Sequence, residues 1–507
     1  MSKGMVYLVG AGPGASDLIT VRGRELIEQC DVLVYDYLVY DKLLTWTRPD
    51  CEQVYVGKRS GYHTLPQEEI QKLLIQHAQA GKRVVRLKGG DPFIFGRGGE
   101  EAEALMEEGI LFEVVPGVTS SLGAAAYLGI PLTHRGESSA VTFITGHENP
   151  GKVKETIDWK SYAALDTTLC IYMGMTNLPH IMQELQAGGM DADTPVAVVR
   201  WATLARQESA VGTVATIADL VKKRDIKPPA MIIVGRVAKD APRLAWHENK
   251  PLYGKRIAIT RTREQASELS DKLEEQGAKV LELPLIQVIP QVDEQVKKEV
   301  FSELGSYDWI CFTSPNGVRC FFDLFLKEFK DIRSMGFMRI AAIGPGTAKA
   351  IEKMHLEVEL IPEKHTGAGM GEALLEIDGI DTAKILVVKG SKGGEDLIKP
   401  LEARWVIVDR LEVYKTVPTD LSEHAMAQKF RELGADAITF TSSSTAKSFA
   451  KQAKSLQLQK GAQAPKPVSM GPITSKTMTE LGMPVSAEAK VQTLDGLVDA
   501  VVEALKQ

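Results

Sequence analysis

Short apolar runs recur along the chain, spaced by stretches long enough for helices. In the first 138 residues the runs are Met5–Val9, Val32–Tyr35, Arg83–Leu87 and Leu111–Val115, and the segments Asp17–Gln29, Gln67–Ala80 and Gly99–Glu108 between them predict helices. Strand alternating with helix predicts α/β winding on a mainly parallel sheet, because successive parallel strands need a crossover between them. Beyond Ser139 the texture turns strand-rich: AVTFITG, TTLCIYMG, PVAVVRWA and AMIIVGR, with a helix expected at Asn177–Ala187. Residues 1–138 and 139–245 therefore read as two lobes of one α/β domain.

The stretch Lys239–Gly254 is polar, holds two prolines and ends in glycine, and the strand RIAIT (256–260) begins afresh behind it. It reads as a seam. A helix through Gln276 follows, then DWICFTS (308–314), RIAAIG (339–344) and KILVVKG (384–390), each with a helix behind it or between. LPLIQVIP (283–290) and DRLEVYKTVP (409–418) read as extended crossings, after which DAITFTS (436–442) and VSMG (468–471) resume the earlier style. The second half, 246–507, is thus expected to be a bilobed α/β domain with a two-strand connector. One lobe takes 254–283 and 418–507, the other 290–410. Two thin crossings predict lobes that open and close. The lobes share a design: TSPNGV (313–318) echoes TSSSTA (441–446), and IGPGT (343–347) echoes MGPIT (470–474).

A length of 507 residues fits about three or four domains at ~150 residues each. The net charge of −6 is shared, with 27 basic and 30 acidic side chains in residues 1–250 and 33 and 36 in the rest. Neither half is a nucleic-acid binder by bulk charge, so an anionic ligand has to meet a local basic cleft. No apolar run approaches the ~20 residues of a membrane span, and the N-terminal apolar run stops at a glycine turn, unlike a signal peptide. Five cysteines without a CxxC pair point to reduced thiols in a cytoplasm, acting as small buried hydrophobes, and to no metal site.

Three glycine turns carry the candidate chemistry of the first half. GAGPGA (10–15) fits the dinucleotide fingerprint, with Asp36 ending the next strand where a ribose-binding acid belongs. Pro13 argues against a pyrophosphate there, since it removes a backbone donor and suits an uncharged or cationic ligand better. LKGGDPFIFGRGGEE (87–101) follows a strand. Its glycines admit close backbone approach, and Asp91 before Pro92 is biased to extended geometry, aiming its carboxylate off the strand end. In VVPGVTSSLGAAA (114–126), Thr119 and Ser120 either cap a helix or face the same ligand.

The segments VYLVGAGPGASDLIT, GGDPFIFGRGGEEAEAL, VVPGVTSSLGAAAYLGIPLTHR and IYMGM resemble the uroporphyrinogen-III methyltransferase family across the first half. The resemblance implies a two-lobed tetrapyrrole methylase fold, a homodimer, and S-adenosylmethionine (SAM) held between the lobes. It implies SAM contacts from Pro13, Gly89, Gly90, Asp91, Ile94, Thr119, Ser120 and Met173, with Ala202 and Ala230 matching more loosely. It makes Asp36 the proton acceptor and Lys58 the proton donor. The sulfonium already makes the methyl electrophilic, so the protein's task is to hold a pyrrole carbon in line and remove a proton. The substrate is a polycarboxylate, which Arg59, Arg97 and Arg135 suit as forked partners, with His134 beside them. Neither a second dinucleotide fingerprint nor His/Cys metal spacing is present for the later oxidation and metal insertion of sirohaem synthesis.

In the second half TSPNGV, IGPGT, VYKT, TFTSSSTA and GPITSKT resemble uroporphyrinogen-III synthase, from Gly254 onward. The implied reaction closes hydroxymethylbilane with inversion of one pyrrole. Ser314, Thr347, Ser442 and Thr474, with Thr441, Ser443 and Ser475, lie at turns where hydroxyls grip carboxylates or cap helices. Tyr414 matches a tyrosine that assists loss of the hydroxyl, or else packs the joint. The whole reads as a bifunctional enzyme that makes uroporphyrinogen III and methylates it twice to precorrin-2, at the sirohaem/cobalamin branch. The alternative is a methylase of another precorrin with a non-catalytic ligand-binding module. Nucleic acid and membrane are not expected partners.

Overall fold

A computed structural model describes residues 4–57, 65–146, 157–260, 263–391, 393–422 and 424–506, with only the backbone for 263–267. Contacts divide the chain into two units, Met1–Lys255 with Leu273–Lys279, and Arg256–Lys272 with Val280–Gln507.

The first lobe of the first unit is a five-stranded sheet ordered Glu52–Tyr55, Val32–Tyr35, Arg83–Lys88, Met5–Gly10, Leu111–Val115, parallel throughout. Helices cover it on both sides, so its central strands are apolar on both faces: Val6, Leu8, Val9, Leu33, Val84 and Val85 are buried. The strand Glu52–Tyr55 escapes the sequence reading because it is an edge strand, with Glu52 and Gln53 exposed and no apolar run. The first long helix starts at Val21, later than expected, because Thr20 accepts the Gly23 N–H at 3.0 Å and sets the cap there. The second lobe is a mixed sheet ordered Val141–Thr145, Thr168–Tyr172, Ala230–Val234, Pro195–Arg200, Glu208–Thr213. Its first pair is parallel and the others antiparallel.

The expected seam at Lys239–Gly254 is not a linker. Residues Arg236–Asp240 and Ala241–Leu244 form short helices, and Ala241, Ala245, His247 and Leu252 are buried. Trp246 packs tilted against Tyr127, ring centroids 4.9 Å apart, and donates its indole N–H to the Ala126 carbonyl at 2.8 Å. Two prolines and polar residues read as a linker, but the aromatic pair needs partners more than a hundred residues upstream. The thiols differ as well: Cys30 and Cys51 lie 3.5 Å apart, sulfur to sulfur, and Cys51 is only half-buried. Adjacent strands bring them together, not sequence spacing.

The second unit holds two sheets. One orders Lys279–Glu282, Arg256–Ile259, Ala437–Phe440, Lys466–Ser469 and Ala487–Glu488. The other orders Ile286–Pro290, Ile407–Pro418, Lys384–Gly390, Trp309–Phe312 and Arg339–Ala342. The chain thus leaves the first sheet after Glu282 and returns to it at Ala437. The two crossings are not free extended pieces. They pair antiparallel with each other from Ile286↔Pro418 to Pro290↔Tyr414, and the returning strand also pairs with Lys384–Gly390. The backbone hydrogen bonds of that sheet resist the hinge motion that loose crossings would allow.

The repeated turns share one construction. Ser314 caps the helix Pro315–Phe329 and Ser442 caps Ser443–Lys451, while IGPGT and MGPIT open the helices Pro345–Glu352 and Pro472–Glu480 with proline in the first turn.

Candidate functional site

In the first unit the turns at the C-terminal ends of three strands meet two turns of the second lobe. Ala11 N–H donates to the Lys88 carbonyl at 2.7 Å, and Gly12 and Gly90 exchange a backbone pair at 3.2 and 2.7 Å. A Cβ on Gly10 would come within 2.6 Å of the Gly117 backbone, and one on Gly117 within 2.2 Å of the Gly90 carbonyl. Only glycine lets these three backbones touch. From the second lobe, Thr203 Oγ1 accepts the Ala15 N–H at 2.8 Å, and the Tyr172 hydroxyl shares 2.7 Å hydrogen bonds with Thr119 and with Ser121. Tyr172 also packs against Phe95, ring centroids 4.8 Å apart.

The backbone is strained here. Among the described residues of the first unit, six non-glycines have positive φ: Phe95, Arg97, Met173, Trp201, Thr203 and Asp225. All but Asp225 sit in these turns. Such strain persists only where surrounding structure over-determines it, and it clusters at ligand sites.

The structure therefore brings together Pro13, Gly89, Gly90, Asp91, Thr119 and Ser120 from the first lobe with Met173 and Ala202 from the second. Pro13 lies against Gly123, where a Cβ would meet its ring at 2.5 Å, and a Cβ on Gly14 would stand 3.0 Å from the Ala202 carbonyl. Ile94 is half-buried against the second lobe's core, and Ala230 pairs with Arg200, on the strand leading to Ala202. Met173 is exposed. Most donors of the first turn are already taken: those of Ala11, Gly12 and Ala15 are bonded within the protein, and Pro13 has none, so Gly14 alone could offer one to a ligand. That leaves no donor cluster for a pyrophosphate, which disposes of the dinucleotide reading of GAGPGA. Small residues, carbonyls and an apolar wall fit a cationic sulfonium with its neutral nucleoside.

Asp91 follows its strand end as expected, and its carboxylate also has partners within the protein. Its Oδ1 accepts from Phe93 N–H at 2.8 Å and its Oδ2 from Gly117 N–H at 2.9 Å, so it also ties two turns together. Thr119 precedes its helix as expected, but its hydroxyl bonds Tyr172 instead of capping. Asp36 ends its strand; Oδ1 accepts from Leu38 N–H at 3.0 Å and Oδ2 from the Arg86 guanidinium at 3.3 Å. Arg97 forks onto Glu100 at 2.8 and 2.6 Å, and Arg135 is exposed in the turn that the His134–Ser138 backbone pair closes. Lys58 and Arg59 lie outside the described residues. Tyr172 was missed by sequence reasoning; the signal was a lone polar tip ending the run TTLCIY.

In the second unit a cavity of about 210 Å³ opens at the C-terminal edge of the sheet that contains Lys384–Gly390, lined by Thr313, Val387, Lys389, Gly390, Asp396 and Tyr414 among others. Ligands of open α/β sheets bind at that edge. The Tyr414 hydroxyl lies 3.0 Å from Ser314 Oγ, which also accepts Gly317 N–H. Burial pushes the Tyr414 phenol above its ordinary range, and the Ser314 hydrogen bond only partly offsets it, so the phenol stays protonated and able to donate. A Cβ on Gly390 would meet the Tyr414 ring at 2.6 Å. Lys389 is buried and paired with Glu395 at 2.9 Å. The other hydroxyls are less exposed than their turns suggested. Ser442 makes a capping box with Thr445, Thr347 and Thr474 are buried, and Ser443 and Ser475 bond neighbouring side chains or carbonyls.

Comparison with known proteins agrees with this division. Residues 5–218 match the family described as Tetrapyrrole (Corrin/Porphyrin) Methylases, and residues 267–499 match Uroporphyrinogen-III synthase HemD. The chain is 35% identical over 503 residues to a porphyrin biosynthesis protein HemD of Ruminiclostridium josui, covering 99% of this chain and 98% of that protein. It is 53% identical over 234 residues to a uroporphyrinogen-III C-methyltransferase of Priestia megaterium, covering 46% of this chain and 98% of that protein. A uroporphyrin-III C-methyl transferase from Thermus thermophilus, solved as a complex with S-adenyl homocysteine, is 38% identical with a TM-score of 0.40, covering 46% of this chain and 94% of that one. Matched end to end by the first and in its first half by the second, the chain belongs to the porphyrin-biosynthesis family that fuses a tetrapyrrole methylase to a uroporphyrinogen-III synthase.

Proposed function

We propose that the second unit, expected from the sequence at 246–507 and beginning at Arg256 in the structure, cyclises hydroxymethylbilane to uroporphyrinogen III, and that the first unit, expected at 1–245 and extending to Lys255, methylates it twice to precorrin-2. The observation that carries the methylase reading is the donor-poor meeting of strained turns around Pro13, Gly90, Asp91, Thr119, Met173 and Ala202. SAM bound there supplies an electrophilic methyl group. Asp91, still with unused lone pairs, accepts hydrogen bonds from the nucleoside. Asp36, at a strand end beside that site, accepts the proton released from the methylated carbon, with Lys58 as donor. Arg59, Arg97 and Arg135 meet the substrate carboxylates, Arg97 by exchanging Glu100 for one of them.

In the second unit the protonated Tyr414 phenol donates to the departing hydroxyl, while the turns that carry Ser314, Thr347, Ser442 and Thr474 hold the substrate carboxylates through backbone N–H groups, the side chains of Ser314 and Ser442 capping their helices. The free cysteines support a cytoplasmic location, and no helix among the described residues is long and apolar enough to cross a membrane. An apolar hollow of about 640 Å³, lined by Leu122, Ala125, Ala126, Ile130, Leu132 and Leu244, supports a homodimer through the first unit. The test is incubation of the protein with hydroxymethylbilane and SAM, read by mass. Uroporphyrinogen III with two added methyl groups supports both activities; a cyclised but unmethylated product removes the methylase assignment, and unchanged bilane removes the synthase one.

A further inference from the structure

Beneath Asp36 lies a buried charged cluster built around Arg86. Arg86 and Lys88 point the same way from one strand, and both reach Glu101 on the helix Gly98–Glu107. Glu101 Oε1 accepts from Arg86 Nε at 3.3 Å, Lys88 Nζ at 3.0 Å and Gln67 Nε2 at 3.0 Å. Arg86 uses its other nitrogens on the Leu87 carbonyl at 3.0 Å and on Asp36 at 3.3 Å. Side-chain exposure is 0% for Glu101, 4% for Arg86 and 6% for Lys88, against 22% for Asp36. The cluster thus opens to solvent through Asp36.

Burying such charges gains little stability, since an apolar cluster of equal volume commonly serves as well or better. Burial, and then the neighbouring Arg86 cation, hold Lys88 below the usual lysine range, a sign of how costly the crowding is. What the network does supply is orientation. With one oxygen on Leu38 N–H and the other on a guanidinium itself fixed by Glu101 and the Leu87 carbonyl, the Asp36 carboxylate has little rotation left. We propose that Arg86 is a positioning residue for methyl transfer, holding the Asp36 carboxylate where it accepts the substrate's proton, with Glu101 fixing Arg86 from below. This rests on the assignment of Asp36 as the proton acceptor.

The test is a double-mutant cycle in the full-length protein with supplied uroporphyrinogen III and SAM. Arg86→Gln is expected to lower kcat by about tenfold to a hundredfold, the loss typical of a misplaced reacting group. KM for uroporphyrinogen III and the calorimetric affinity for S-adenosylhomocysteine should change by less than about twofold, and Arg86→Lys should recover part of kcat. In an Asp36→Asn background, Arg86→Gln should cost nothing further. Glu101→Gln keeps the shape and one acceptor; it should give a smaller kcat loss with the same dependence on Asp36, and it serves if Arg86→Gln does not fold. An equal loss of kcat in the wild-type and Asp36→Asn backgrounds, or a parallel loss of S-adenosylhomocysteine affinity, overturns the positioning role. Full turnover in Asp36→Asn alone removes the base assignment itself, whatever Arg86 does.

Discussion

Single side chains in both units do two jobs, and substitutions separate them. Asp91→Ala is expected to abolish binding of S-adenosylhomocysteine by calorimetry. It should also lower stability by about 1–2 kcal/mol, because Gly117 N–H loses its acceptor. A sequence view of Asp91 as a turn residue expects no such destabilisation. Unchanged affinity would remove it from the site. Tyr414→Phe keeps the ring against Gly390 but loses the hydroxyl shared with Ser314. If the phenol helps the leaving group, turnover of hydroxymethylbilane falls while the melting temperature barely moves; wild-type rates in the Phe variant would sink that role.

At the scale of elements, helix caps account for hydroxyls that motif reading assigns to substrate. Ser442 completes a capping box on Ser443–Lys451, so Ser442→Ala should cost about 1 kcal/mol in denaturant unfolding. If bilane turnover stays at the wild-type level in the folded variant, Ser442 is a cap and not a ligand. Strands legible in the sequence were those with apolar runs, such as Met5–Gly10 and Lys384–Gly390. Glu52–Tyr55 and Glu208–Thr213 were not, because an edge strand has only one neighbour and needs few apolar residues. The crossings at 286–290 and 407–418 were legible as extended but not as partners, since their pairing joins residues more than a hundred positions apart.

For the whole molecule, the boundary of the first unit is set by packing. A fragment 1–245 loses Trp246, buried His247 and Leu252, whereas 1–255 keeps them. The shorter piece should melt several degrees lower by calorimetry at neutral pH, as expected of ~1–2 kcal/mol in a domain of this size; equal melting temperatures would make the stretch dispensable. Burial, helped by the Lys250 cation, lowers the His247 pKa in the folded state. The unfolded chain therefore binds more protons below its ordinary value of about 6.5, and stability falls as pH drops through that value toward the folded pKa. In the fragment 1–255, His247→Leu should flatten that part of the pH–stability curve, and an unchanged slope would assign it to other groups.

The periodicity of apolar runs determined the α/β class, the there-and-back path of the second half and the turns that carry chemistry, because burial of both sheet faces writes itself into local sequence. The order of motifs such as GGDPFIFGRGGEE and VVPGVTSS determined the family, since glycines and prolines at those spacings encode particular turns. Tertiary structure alone decided what each charged or hydroxylated side chain touches. Asp91 reaches Gly117, Tyr172 reaches Thr119 across the lobes, and Arg86 joins Asp36 to Glu101 under the sheet. A polar side chain carries no sign in the sequence of the partner it will meet; close packing of strands and helices brings that partner from far along the chain.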